Sequence, residues 1–503
     1  MLKTTSQNEQ YEIYREHMRK LADVRSALAL MQWDQETYMP ARGEEFRAQQ
    51  VATMSEIAHD MATSEKLGSL LESLENQAGL NETERKNISL NLTDFKKQKK
   101  YPAAFVRQMS ETISKSFNAW NRAKKENRFS IFENELSKVV ELKKQETDLL
   151  GYSAHPYDAL MDEFEKGCTV KLVDQIFSEM RPKLGSMLET IMNKGETDDS
   201  FLQAHFDKKK QWDYGIEVIK SLGFDFEAGR QDISTHPFST SFNKYDVRIT
   251  TRIDENDFNN MLFSCIHETG HGLYEQGLPE SSYGLPAGEF TSLGIHESQS
   301  RLWENHVGRG LAFWKYQFPL LKNVFTDEFK NVSLEKFYKG INKVKPSLIR
   351  TEADELTYHF HVMIRYEIEK MLISGEITAH DIPACWNEQY KKYLGIDVPD
   401  DQRGCLQDVH WSHGSFGYFP TYSLGSFYSA QFFASAVQDD PLTIQKIEKG
   451  NTDSLLAWLR QRIHIVGRIM TSEEICKHAT GETLNVQYFL DYLHEKYARI
   501  YEF

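Results

Sequence analysis

His267-Glu268-Thr269-Gly270-His271 is the stretch of this chain with the clearest chemistry. Residues four apart share one face of a helix, so His267 and His271 can offer two imidazoles to one metal ion. Glu268 falls about 100° round the cylinder, beside the ion's open side, where it can take a proton from bound water. These are the working parts of a zinc peptidase. With 17 His in 503 residues, an accidental match to this pattern has odds on the order of a few per cent. Met261, Leu262, Phe263 and Ile266 precede it and imply a buried helix. Two buried histidines and a glutamate on such a helix need partners, and a metal is one.

A catalytic zinc takes three protein ligands and keeps its fourth position open for water. The downstream candidates are Glu275, Glu289, His296, Glu297 and Glu304. Glu275 shares the face of His271 but would project along the helix rather than across the metal. Glu297 is better placed, on a second helical stretch that the Gly- and Pro-rich segment 277–288 can fold back beside the first. Arg301 and Glu304 follow it on the same face and can support the ligands. His296, one residue step away, reads as a structural or surface histidine.

The elements that must position these groups are mostly helices. Proline is scarce, 13 in the chain, so long segments run without a breaker. Tyr11, Tyr14, Met18, Leu21 and Leu28 form an apolar stripe on a first helix. Similar amphipathic stretches are predicted at roughly 44–60, 82–99, 103–127, 129–150, 170–195, 210–222, 255–276, 290–310, 334–344, 347–374, 379–393, 426–437, 453–468, 472–479 and 485–498. Thr471 and Glu474 make a capping box for one of the last. Asp246-Val247-Arg248-Ile249-Thr250 alternates instead, as a strand does, and reads as an edge strand that could pair with an extended peptide. Asp254 is the expected N-cap of the histidine helix.

Composition bounds the rest. Lys and Arg number 59 against 74 Asp and Glu, and a net charge of −15 argues against nucleic acid as a partner. The basic runs at Lys96–Lys100 and Lys208–Lys210 read as solvated helix ends. No stretch approaches roughly 18 uninterrupted apolar residues, so no membrane span is expected. The first residues lack the apolar core of a signal peptide. Five scattered cysteines read as free thiols in a reducing, cytoplasmic setting.

A longer set of motifs now becomes specific. His236-Pro237-Phe238, Asp246-x-Arg248-x-Thr250, His267-Glu268-x-x-His271 and His296-Glu297-Ser298-Gln299 occur in order. Ile349-Arg350-x-x-Ala353-Asp354 and Gly404-x-x-Gln407-Asp408-x-His410-Trp411 follow, and Trp33-Asp34-x-x-Thr37-x-Met39-Pro40 precedes them all. This set resembles the carboxypeptidase Taq family of metallocarboxypeptidases, peptidase family M32. The resemblance implies a mainly α fold: a large helical body in two lobes around a substrate groove, with a small β element next to the HExxH helix, gluzincin-like. It implies one catalytic domain over residues 1–503 and a homodimer. It also implies zinc, with cobalt able to substitute, on His267, His271 and Glu297, with Glu268 as base. The activity it implies is release of single C-terminal residues from peptides, with broad specificity and poor action on proline.

An enzyme of that kind must hold a free carboxylate, which the forked guanidinium of arginine does best. Arg350 and Arg248 are the candidates. Arg350, Asp354, His361 and Arg365 recur as a polar stripe along the helix predicted at 347–374. The resemblance gives Arg350 and Asp354 a role, whereas His361 and Arg365 read as a solvated face. The Gly- and aromatic-rich segment 410–425 reads as a loop or broken helix. A tyrosine hydroxyl or histidine N–H from it could stabilise the oxyanion of hydrolysis, and His410, Tyr418 and Tyr422 are the candidates, unranked. His236 either bonds a substrate carbonyl or serves as a turn residue before Pro237. Two rival readings are a helical zinc oligopeptidase that cuts internally and an inactive peptide-binding scaffold; an intact Glu268 argues against the second.

Overall fold

The structure is a computed structural model that describes residues 7–503. The fold is mainly α, with one three-stranded sheet among the described residues. The chain forms two compact units. The first takes the chain up to Lys99, Asp198–Ile341 and Tyr428–Leu484; the second takes Lys100–Thr197, Asn342–Phe427 and Asn485–Phe503. Among the described residues no helix is long and apolar enough to cross a membrane.

In the first unit the apolar stripe of the helix Gln7–Thr37 is buried through Tyr11, Tyr14, Met18 and Leu21, against Leu67, Leu71, Leu74 and Leu92. The Tyr14 hydroxyl accepts from Asn91 Nδ2 at 2.6 Å, so the phenol enters the core with a partner. The sheet has the order β1-β3-β2, with β1 at Gly229–Ile233, β2 at Ser239–Asn243 and β3 at Asp246–Thr251. β1 runs parallel to β3 and β2 antiparallel to it. The alternating segment is therefore the central strand, not an edge, and its backbone is already paired on both sides. Its alternation reflects one covered face: Val247 and Ile249 are fully buried while Arg248 is half-buried. The partner strands, GRQDI and STSFN, are too polar and too poor in β-branched residues to signal themselves.

The histidine helix spans Phe258–Gly277 and starts at Asp257, whose side chain accepts from the Asn259 N–H at 3.1 Å. Asp254 is not the cap; it closes the preceding turn by accepting from the Asn256 N–H at 2.9 Å. The stretch predicted at 290–310 divides into an α-helix, Leu293–Arg301, and a π-helical segment, Leu302–Gly308. The Arg309 N–H reaches back five residues to the Glu304 carbonyl at 2.8 Å.

In the second unit the helix Tyr358–Ser374 is buried on nearly all sides. The single helix expected over 347–374 breaks before it. Arg350–Glu352 is one 3-10 turn, and Asp354 then accepts from the N–H groups of Leu356 and Thr357 at 3.0 and 2.9 Å. These backbone bonds satisfy donors that open the new helix. His361 and Arg365 are completely buried, so the expected solvated face is an interior one. The segment 410–425 opens with a 3-10 turn, His410–His413, and enters a helix at Pro420–Asp439.

Candidate active site

In the first unit the structure brings His267, His271 and Glu297 together, with one ligand atom from each lying within 4.8 Å of the others. The sequence builds this from two helices in close contact. A Cβ on Gly270 would meet the backbone of Gln299 and Ser300 at 2.6 Å, so only glycine permits the approach. Ser292 caps the second helix by accepting from the Ile295 N–H at 3.0 Å.

The hydrogen bonds around the triad fix its tautomers. His267 donates from Nδ1 to Glu304 Oε2 at 2.8 Å. His296 donates from Nε2 to Glu275 Oε1 at 2.9 Å, leaving its Nδ1 to accept from His271 Nδ1 at 2.6 Å. Both triad histidines therefore carry their proton on Nδ1 and present a lone pair on Nε2. Each Nε2 lies 3.6 Å from the same oxygen, Glu297 Oε2. That spacing is too long for a hydrogen bond. It fits two donors of one tetrahedral ion, which at bond lengths of about 2.1 Å lie about 3.4 Å apart. The donor set, two imidazoles and a carboxylate, suits zinc. Glu297 Oε1 accepts from Arg301 Nε at 2.7 Å, which holds the carboxylate's orientation.

Charge is arranged to match. Burial opposes ionisation of Glu304, but Arg301, His267 and Arg309 outweigh it and hold the carboxyl well below its usual range. Burial pushes His271 well below the imidazole range, reinforced by His296 and His267. Burial also works against the charged form of His267, yet Glu297 and Glu304 prevail and raise it. Glu268 is buried beside them, and burial, aided by Glu297 and Glu304 and opposed by His267, pushes it up to about 7. A carboxyl poised there suits proton transfer near neutral pH.

Of the other predicted residues in this unit, His236 lies exposed in the bend between β1 and β2, its carbonyl accepting from Ser234 Oγ at 2.6 Å. Arg248 pairs with Asp246 at 2.9 and 3.0 Å, and its guanidinium lies over the rings of Trp33, at 4.4 Å, and Phe242.

The second unit brings Arg350, His410, Tyr418 and Tyr422 together. Arg350 is buried, donates from Nε and Nη2 to Asp408 Oδ1 at 3.0 and 2.9 Å, and from Nη1 to the Tyr358 hydroxyl at 3.0 Å. Its guanidinium lies over the Tyr422 ring at 4.9 Å. Arg365 takes the other Asp408 oxygen at 2.6 Å and also donates to Gln407 Oε1 at 2.8 Å. Burial works against ionised Asp408, but the two guanidiniums dominate and hold it far below the carboxylate range. His410 Nε2 is 3.2 Å from the Tyr422 hydroxyl, and the Tyr418 and Tyr422 rings are 5.1 Å apart. Burial, opposed by Asp408 and reinforced by the two arginines, pushes His410 down to about 3, so it is neutral at ordinary pH.

Sequence reasoning missed the support for His271. It read His296 as a structural or surface histidine with no link to the metal helix and set Glu275 aside as a ligand, whereas the two form a relay behind His271. The signal was present: a ligand imidazole needs an acceptor for its second N–H, and a His–Glu pair stood nearby without a task.

Comparison with known proteins shows what the whole chain is similar to. The model of a family described as carboxypeptidase Taq (M32) metallopeptidase matches residues 13–497. Carboxypeptidase 1 of Bacillus subtilis is 40% identical over 486 residues, which cover 96% of this chain and 97% of that protein. Thermostable carboxypeptidase 1 of Thermus thermophilus is 37% identical, covering 98% of this chain and 99% of its own. The crystal structure of an M32 carboxypeptidase from Deinococcus radiodurans superposes with a TM-score of 0.97 at 37% identity, over 98% of this chain and 100% of that one.

Proposed function

The chain belongs to the carboxypeptidase Taq (M32) family of metallopeptidases and is a metallocarboxypeptidase, and from that premise we propose that it hydrolyses the last peptide bond of peptides and releases single C-terminal residues, broadly but poorly at proline. The observation that carries the reading is the pair of lone-pair nitrogens, His267 Nε2 and His271 Nε2, each 3.6 Å from one Glu297 oxygen. His267, His271 and Glu297 would hold zinc, with cobalt able to replace it. When bound, such an ion supplies Lewis acidity, lowering the pKa of water toward about 7 and polarising a carbonyl oxygen.

The chain's own groups supply the remainder. Glu268 takes the proton of the attacking water and passes it to the departing amine. Arg350 receives the peptide's terminal carboxylate; its bonds to Asp408 and Tyr358 keep the guanidinium from swinging, and it has further N–H groups to give. His236 bonds a substrate backbone carbonyl, and Arg248 is the second arginine able to take the terminal carboxylate. His410, neutral when buried, donates with Tyr418 and Tyr422 toward the oxygen on which charge develops. The functional form is a cytoplasmic homodimer of single catalytic domains spanning residues 1–503, with no nucleic-acid partner, in keeping with the −15 net charge.

The test is digestion of one peptide as free acid and as C-terminal amide, followed by mass spectrometry with metal-loaded protein. A ladder shortened one residue at a time from the free acid alone is expected. Equal cleavage of both forms with internal products would refute the reading in favour of an oligopeptidase.

A further inference from the structure

The segment that carries His410, Tyr418 and Tyr422 is irregular and must be held by something outside itself. It contains one 3-10 turn, and Gly414 and Gly417 have φ of 70° and 95°. Gly417 is seated so closely that a Cβ would lie 2.6 Å from the Leu160 backbone. The helix Tyr358–Ser374 supplies the grip. Arg365 holds Asp408, just ahead of His410, at 2.6 Å. One turn further along the same helix stands Glu369, fully buried. Its Oε1 accepts from Trp411 Nε1 at 2.8 Å, and its Oε2 accepts from the Gly417 N–H at 2.8 Å and the Tyr157 hydroxyl at 2.5 Å.

This is an unusual use of a carboxyl. Burial raises its pKa to about 7 against the pull of the Gly417, Tyr157 and Trp411 hydrogen bonds, so the site strains against the charge it contains. An apolar residue would satisfy packing alone at less desolvation. What it could not do is receive converging N–H groups from the residue after His410 and the residue before Tyr418.

We propose that Glu369 is a positioning residue for peptide hydrolysis: by accepting the N–H groups of Trp411 and Gly417, it fixes His410 and Tyr418, and through His410 the Tyr422 hydroxyl, in the arrangement they use on the substrate. The proposal rests on the reading that those three side chains act on bound peptide.

Glu369→Gln keeps the size of the side chain but turns an NH2 toward a donor, breaking the convergence. Measured on a free-acid peptide, per folded and metal-loaded molecule, it should lower kcat about tenfold to a hundredfold while KM stays within about threefold, the scale of a misplaced reacting group. Metal content should be unchanged. Trp411→Phe removes one donor while keeping the ring, and should lower kcat by about threefold or more; it decides the matter if the glutamine variant does not fold. His410→Ala, Tyr418→Phe and Tyr422→Phe are measured alongside. If these lower kcat while the Glu369 and Trp411 variants turn over as wild type, the role of Glu369 is refuted and the reading of the site stands. If all three turn over as wild type, that reading falls and the proposal with it.

Discussion

Glu268 and His296 show what single side chains do in this site. Glu268 is raised to about 7 mainly by burial, and its base form is the ionised one. Activity must therefore rise with pH through its pKa, and a cation held by its neighbours pulls that pKa down. The acidic limb of kcat/KM should have its midpoint below pH 7 in the metal-loaded protein; a midpoint above 7 would assign the limb to another group. Glu268→Gln should keep its metal and lose about two to four orders of magnitude in kcat, read by elemental analysis beside a peptide assay. His296 acts at one remove. Its Nδ1 accepts the His271 proton, so His296→Ala should weaken metal binding about tenfold to a hundredfold in a competition titration. Wild-type affinity would mean that the His271 tautomer is set elsewhere. The triad itself was legible because helical spacing forces His267 and His271 onto one face. The relay was passed over because His296 and Glu275 were each weighed singly as metal ligands, not as a pair that could accept the second N–H of His271.

At the scale of elements, the site depends on how closely two helices approach. Gly270 faces the backbone of Gln299 and Ser300, and backbone cannot rotate away as a side chain can. Gly270→Ala should cost about 1–3 kcal/mol of stability, seen as a lower melting temperature, and should weaken metal binding as Glu297 is pushed from His267 and His271. Full metal affinity at reduced stability would show that the triad tolerates the displacement. Most helices could be read from apolar periodicity, as at Ala103–Glu126 and Ser130–Leu150. The helices Glu65–Glu75 and Leu311–Val324 were passed over, the second because Pro319 and a near-continuous apolar run mask its period. The π-helical segment after Arg301 had no sequence signal, because a π turn and an α turn use the same residue types. The central position of β3 was hidden by two polar neighbours.

For the molecule as a whole, composition spoke only of class: a mainly helical, acidic protein. Its interior is less apolar than periodicity suggested, since Arg350, Arg365, Asp408 and Glu369 form buried networks in the second unit. Stability should depend on pH accordingly. The folded pKa of Asp408 lies below its unfolded value of about 3.9, so its contribution is present above that value and is lost as pH falls through the folded one. Asp408→Asn leaves two buried guanidiniums without their counter-charge and should destabilise by about 3–5 kcal/mol at pH 7. In thermal melts the gap from wild type should hold from about pH 8 to 5 and narrow below about pH 4; a gap independent of pH would mean that the charge on Asp408 contributes nothing. The claim on which the rest depends is that His267, His271 and Glu297 share one ion. Anomalous diffraction at the zinc absorption edge from crystals of the metal-loaded protein tests it directly. A single peak within bonding distance of both Nε2 atoms and the Glu297 carboxylate is predicted, and a zinc peak bound by other residues, or no peak at these three, would contradict it.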